Sequence, residues 1–221
     1  MPGRIFILNL HGIGTPKREL PASEQRVWLE QARFEAILDY VRTRSDVELT
    51  CDDANESDFT VALPALRARG LKARFFLVAD RIGQPAFLSR NQVEGLLNSG
   101  MEIGSHGLRH RPWAALGKCE LHEEIVQARN RLEQLASVRI DHASCPFGSY
   151  NRRVVRAFRN AGYKGIYTSD GGPAQPGALI LPRNSVCNTW TLETVKQVLS
   201  DEVTPLRRLL RNLKLAVKRW R

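Results

Sequence analysis

Short apolar runs alternate with longer stretches of helical period along most of this chain, and that alternation limits its possible folds more than any other feature. A run of four to eight residues suits a buried strand, while the intervening stretches are long enough for helices, so each pair forms a βα unit. Successive units of this kind build a parallel sheet or barrel. Strands are expected at 5–10, 47–51, 73–79, 101–104, 143–145, 165–168 and 178–181, which makes about seven. Helices are expected at 24–44, 58–69, 89–98, 118–136, 152–160 and 191–199, with Gly70, Gly100 and Gly162 placed as C-terminal caps. A chain of 221 residues, 43% hydrophobic and 25% charged, suits a single domain.

No apolar run approaches the roughly 20 residues that span a bilayer, and 5–10 is too brief for a signal peptide, so a cytoplasmic chain is expected. Cys51, Cys119, Cys145 and Cys187 are widely separated, which suits reduced and mostly buried thiols rather than a metal ribbon or redox pair. The formal net charge of +10 is uneven. Arg207, Arg208, Arg211, Lys214, Lys218, Arg219 and Arg221 supply seven charges in a tail without acids, leaving 10 − 7 = +3 for the rest. That modest charge, with no aromatic platform among the basic residues, argues against a nucleic-acid partner.

The C-terminal ends of parallel strands, and the loops after them, face a common opening where ligands bind. His11, the pair Asp52 and Asp53, the pair His106 and His110, and the segment from Pro146 to Tyr150 all fall at such ends. Adjacent carboxylates repel unless a cation or shared proton offsets them, so a metal is their natural partner. His106 and His110 stand four apart, and a helical turn over 107–110 would bring both imidazoles to one point. Asp53 as a third ligand would leave coordination positions open, as catalytic sites do. Read more plainly, the acidic pair leads into a helix that Ser57 or Asp58 caps. The zincin peptidase motif is excluded, because Gly107 stands where that motif has its glutamate.

Three ordered segments carry a more specific signal: Leu49 to Asp53, Ser105 to His110, and Cys145 to Asn151. Together they resemble the motifs of the polysaccharide deacetylases, the NodB-homology domain of carbohydrate esterase family four, over roughly residues 5 to 190; the stretch from Thr168 to Gly172 resembles a fourth family element. The resemblance implies a distorted (β/α)7 barrel at 1–203, and the spacing of apolar and basic residues beyond it predicts a basic amphipathic helix at 204–221. The resemblance also implies a divalent cation on Asp53, His106 and His110, with zinc first and cobalt, nickel or manganese as alternatives. It makes Asp52 the general base toward the attacking water and the Phe147 N–H a donor to the oxyanion. The implied reaction removes an N-acetyl or N-formyl group from an amino sugar of a glycan or a lipid-linked precursor. The alternatives are hydrolysis of a non-sugar amide or imide, and glycan binding without turnover.

Two positions depart from the best-known branch of that family. Its arginine before the third-motif proline is replaced by Ser144 and Cys145, and the histidine of its last motif by the stretch Leu181, Pro182, Arg183. His11 is the candidate proton donor in place of that histidine, while Arg183 is free to bind substrate or to orient Asp52, and Asp170 to tune either. Trp113, just past His110, could floor a sugar site; Trp28 and Trp190 are expected in packing, His122 in solvent and His142 in a structural role. In the tail, Leu206, Leu209, Leu210, Leu213, Val217 and Trp220 form one apolar stripe among basic residues. Such a helix either seeks an anionic membrane face or membrane-bound partner, or packs on the barrel.

Overall fold

The computed structural model describes residues 3–200 together with Lys218. Its frame is a set of parallel strands, β1 (Phe6–Leu10), β2 (Val47–Asp52), β3 (Arg74–Leu77), β4 (Glu102–Ser105), β5 (His142–Ser144), β6 (Gly165–Thr168), β7 (Ile180–Pro182) and β8 (Asn184–Ser185). They are ordered β7-β6-β5-β4-β3-β2-β1-β8. Only Arg183 separates β7 from β8, yet β7 pairs with β6 and β8 pairs with β1. One interrupted stave therefore closes the barrel, and Arg183 sits at the interruption.

The helices are α1 (Ala22–Gln25), α2 (Gln31–Val41), α3 (Leu63–Ala68), α4 (Arg90–Asn98), α5 (Lys118–His122), α6 (Ala128–Ala136), α7 (Arg152–Asn160) and α8 (Leu192–Leu199). Their N-termini show why some expected boundaries hold. Ser89 and Gln92 form a reciprocal capping box on α4, Asn151 caps α7 through the Val154 N–H, and Thr191 caps α8 through the Thr194 N–H. The expected helix at 24–44 is instead broken. Leu29 leaves it to bridge Ile13, donating its N–H to the Gly12 carbonyl, and Trp28 packs where a Cβ on Gly12 would stand, 2.0 Å from the ring. Ser57 and Asp58 make no side-chain cap either; Ser57 Oγ accepts the Ile13 N–H across the barrel mouth. Of the cysteines, Cys51 and Cys145 are buried, Cys187 is partly covered and Cys119 is exposed; all are free thiols.

Strand alternation sorts the side chains into two environments. Phe6, Leu8, Leu10, Leu49, Cys51, Phe75, Leu77, Ile103, Ala143 and Ile166 pack outward against the helices in the main core. Ile7, Phe76, Tyr167 and Leu181 fill a separate apolar layer inside the barrel. Phe76 and Tyr167 meet there with ring centres 4.8 Å apart. Gly104 makes room for them, since a Cβ at that position would lie 2.4 Å from the Phe76 ring. Asn9 on β1, Thr50 on β2, Ser144 on β5 and Arg183 between β7 and β8 form a polar layer resting on the aromatic plug, joined by hydrogen bonds from Arg183. The Arg183 guanidinium lies 5.3 Å from the Phe76 ring centre and 5.9 Å from that of Tyr167, within cation–π range. Above this layer the barrel opens.

Candidate metal centre

Asp52 ends β2, and its side chain is turned down onto the polar layer. Arg183 Nη1 donates to its Oδ1 at 2.8 Å and Nη2 to its Oδ2 at 2.7 Å, a bidentate pair in which Asp52 is 2% exposed and Arg183 1%. Asn9 Nδ2 and Ser144 Oγ add donors to Oδ2 at 3.1 and 3.2 Å. Burial opposes charge on Asp52, but the adjacent Arg183 and the neighbouring His106 outweigh it and hold the carboxyl well below the usual carboxylate range. Asp52 is thus an ionised carboxylate at neutral pH. Arg183 is spent on holding it: besides Asp52, it donates to Asn9 Oδ1, Thr50 Oγ1 and Ser144 Oγ.

Asp53 points the other way, because the chain turns into a left-handed conformation at Asp53 (φ 84) and Ala54 (φ 60). Its Oδ1 is buried without a hydrogen-bond partner. His110 Nε2 faces that oxygen at 3.2 Å and His106 Nε2 faces it at 3.7 Å. The three candidate ligand atoms lie within 4.8 Å of one another. Bonds of about 2.0–2.2 Å in a tetrahedron place ligand atoms about 3.4 Å apart, so both Asp53–imidazole distances match one ion, while the widest pair of the set has to draw closer to share it. The second ring nitrogen of His106 strengthens the fit. Nδ1 lies 2.8 Å from the Ser144 carbonyl, which fixes the proton there and leaves the Nε2 lone pair toward Asp53. A carboxylate oxygen that accepts no hydrogen bond and faces two imidazole nitrogens, one with its tautomer fixed, is a donor set that fits a divalent cation.

The two histidines do not converge through a helical turn. The segment from His106 to His110 is an irregular loop with left-handed residues at Gly107 (φ 85) and His110 (φ 57). Glu124 holds this loop: its buried carboxylate accepts the N–H groups of Leu108 (3.0 Å) and Arg109 (2.9 Å) and the Trp113 indole N–H (3.2 Å). A single charged acceptor thus replaces the helical hydrogen bonds the loop lacks. Trp113 is fully buried in this contact and lines no part of the pocket. Burial pushes His110 down to about 3, with Asp53 pulling it the other way, so that ring meets a cation as a neutral ligand.

These groups floor a cavity of about 510 Å³ whose wall includes His11, Phe147, Asp170, Cys187 and Trp190. His11 Nδ1 is buried without a partner. Burial pushes its imidazole below the ordinary value, while Asp53 and Asp52 pull it upward. Phe147 is left-handed (φ 57), its ring is 63% exposed and packs on His110 with centres 4.6 Å apart. No acceptor among the described residues takes its N–H. Asp170 accepts hydrogen bonds from Tyr150 Oη at 2.7 Å and Thr168 Oγ1 at 2.8 Å. Asp53, His110 and Phe147 therefore all occupy backbone conformations that non-glycine residues rarely adopt, a concentration typical of functional sites.

Several contributors carry no sequence motif. Arg81, in a short 3-10 turn after β3, places Nη1 3.2 Å from Asp53 Oδ1. Asn9, Thr50 and Glu124 act only through residues far away in sequence; a buried charged residue in a helix, as Glu124 is, was their one local signal. His122 is exposed, and His142 sits half-buried at the far end of the barrel against Tyr167. The tail at 204–221, with its apolar stripe, lies outside the described residues except for Lys218.

Residues 40–166 match the family model for polysaccharide deacetylase. YxkH of Bacillus subtilis (strain 168), a proposed polysaccharide deacetylase, is 24% identical over 189 residues, covering 78% of this chain and 67% of that protein. The peptidoglycan-N-acetylglucosamine deacetylase of Bacillus cereus is 29% identical over 122 residues, 55% of this chain and 42% of that enzyme. Among solved structures, the Streptococcus pyogenes deacetylase PplD in complex with acetate superposes with a TM-score of 0.79 at 20% identity, covering 90% of this chain and 99% of that one. The family match spans Asp52, Asp53, His106, His110 and Phe147 but stops before Asp170 and Arg183.

Proposed function

The chain belongs to the polysaccharide deacetylase family, and we propose that it removes an N-acetyl or N-formyl group from an amino sugar of a glycan or lipid-linked precursor, using a divalent cation on Asp53, His106 and His110. The observation that carries this reading is the buried Asp53 oxygen that accepts no hydrogen bond and faces two imidazole nitrogens, beside a separately anchored carboxylate, Asp52. Zinc, or cobalt, nickel or manganese in its place, would polarise the amide carbonyl and lower the pKa of the attacking water.

The protein's own groups divide the remaining work. Asp52 accepts the proton of the attacking water at a carboxylate oxygen; Arg183 keeps that carboxylate ionised and fixed in direction. Asp52 is a weak base for this reason, and its usefulness comes from position rather than basicity. The Phe147 N–H, for which no described residue is an acceptor, donates to the oxygen that gains charge as the carbonyl carbon becomes tetrahedral. An amine leaves poorly as an anion, and His11, which lines the cavity, supplies the leaving proton. Because burial disfavours the imidazolium, His11 carries a second proton only while one is in transit. The exposed Phe147 ring and Trp190 offer apolar faces for a sugar ring at the mouth.

The tail's apolar stripe and basic residues support placing this enzyme at the inner, anionic face of a membrane, where a lipid-linked sugar would be presented. Metal analysis of purified protein, combined with acetate and formate release from acylated glycans and from small amides, tests the whole reading. Release from amino-sugar glycans by the metal-loaded protein is expected. Release only from small amides would move the substrate outside the sugars, and metal binding without release from any compound would leave a glycan-binding protein.

A further inference from the structure

Lys218 lies well beyond every pocket-lining residue in sequence, yet its ammonium contacts Asp170, which lines the pocket. Nζ donates to Asp170 Oδ1 at 2.8 Å and to the Gly148 carbonyl at 3.1 Å, and it stands 5.1 Å from the centre of the Tyr150 ring. The Asp170 side chain is only 4% exposed, and its other oxygen is occupied by Tyr150 and Thr168. Among the described residues Lys218 is the one donor to Oδ1. Asp170 follows β6, whereas Gly148 belongs to the turn after β5 that carries Phe147. An ammonium is a compact donor with three N–H bonds, suited to bridging two acceptors that belong to different loops.

Phe147 and Gly148 are both left-handed, with φ 57 and φ 60; Pro146 and Gly148 are buried, whereas Phe147 between them is mostly exposed and so is held by little burial of its own. We propose that Lys218 is a positioning residue for deacetylation: clamped between Asp170 and the Gly148 carbonyl, it fixes the Pro146–Gly148 turn so that the Phe147 N–H stays directed at the reacting carbonyl. Turnover then depends on a residue 70 positions beyond Gly148 in the chain. The inference rests on the deacetylase reading for its effect on rate, while the clamp itself does not.

The test uses the full chain with Lys218→Met, which keeps an apolar stem and removes the donor, and Lys218→Arg, which restores one. Hydrogen exchange across residues 145–150 is measured alongside kcat, KM and metal content. Lys218→Met should speed exchange in that segment and lower kcat about tenfold, a fraction of the roughly hundredfold or greater loss seen when an oxyanion donor is removed outright. KM and metal content should stay within about twofold, since neither ligand nor pocket wall is removed, and Lys218→Arg should recover most of the rate. Unchanged exchange, or an unchanged kcat in Lys218→Met, would overturn the proposal. A wild-type protein that releases no acyl group from any substrate would sink the deacetylase reading instead, and the exchange rates would still decide whether Lys218 clamps the turn.

Discussion

Replacing Arg183 with methionine removes the charge that anchors Asp52 while keeping an unbranched stem above Phe76 and Tyr167. Both Asp52 oxygens lose their closest donors, at 2.8 and 2.7 Å, and only Asn9 Nδ2 and Ser144 Oγ remain to a carboxylate that is 2% exposed. Stranding one partner of a buried ion pair costs about 3–5 kcal/mol, a large share of the roughly 5–15 kcal/mol by which a domain is stable. The variant is therefore expected to unfold at markedly lower urea concentration at neutral pH with little change in slope. Asp52 can escape part of this penalty by taking up a proton, and each unit of upward shift corresponds to about 1.4 kcal/mol. The acid limb of kcat/KM should accordingly move to higher pH. Adding Asp52→Asn to the Arg183→Met background removes the stranded charge, so the double variant should be more stable than the two single losses summed predict, by about 2 kcal/mol or more. Urea unfolding of the metal-free proteins and the pH dependence of kcat/KM measure these effects. An Arg183→Met protein within about 0.5 kcal/mol of the parent, with its acid limb in place, would refute the view that Arg183 holds Asp52 ionised.

His106→Ala should lose bound metal and activity together, whereas Asp52→Asn should keep the metal and lose at least roughly a hundredfold in rate; metal analysis of both variants separates ligand from base. Glu124→Gln keeps one acceptor but removes the charge that gathers the Leu108, Arg109 and Trp113 donors, and metal affinity should fall about 10- to 100-fold in a competition titration. His11→Ala should flatten the alkaline limb of the rate profile, and an unaltered profile would leave the proton donor elsewhere. Burial pushes His11 below its ordinary value, His110 to about 3 and His142 to about 4, so the metal-free fold keeps these rings neutral where the unfolded chain is protonated below about pH 6.5. The unfolded state then binds more protons, and stability should decline as pH falls from about 6.5 toward 4, by up to about 1.4 kcal/mol per pH unit for each fully buried ring and by less for half-exposed His142. Urea midpoints followed across that range, with His142→Gln giving a shallower fall, check the direction.

The alternation of strand and helix, with polar residues at the strand ends, was sufficient to read a parallel sheet or barrel and to gather Asp52, Asp53, His106 and His110 at its open end, while the choice of a barrel came from the family resemblance. These are local signals, because strand period and adjacency along the chain are properties of neighbouring residues. Even so, the local route to convergence was misjudged: the two histidines meet through left-handed loop residues held by Glu124, a partner that no spacing rule supplies. The choice between substrate binding and base anchoring at Arg183 likewise waited on tertiary structure, since Asp52 lies 131 residues away and is reached only because the last stave breaks there to close the barrel. Lys218 and Gly148 meet across 70 residues in the same way. Periodicity specifies which face of an element is buried, but the charge that answers a buried carboxylate is set by which strands become neighbours when the sheet closes, and chain closure is a property of the whole fold.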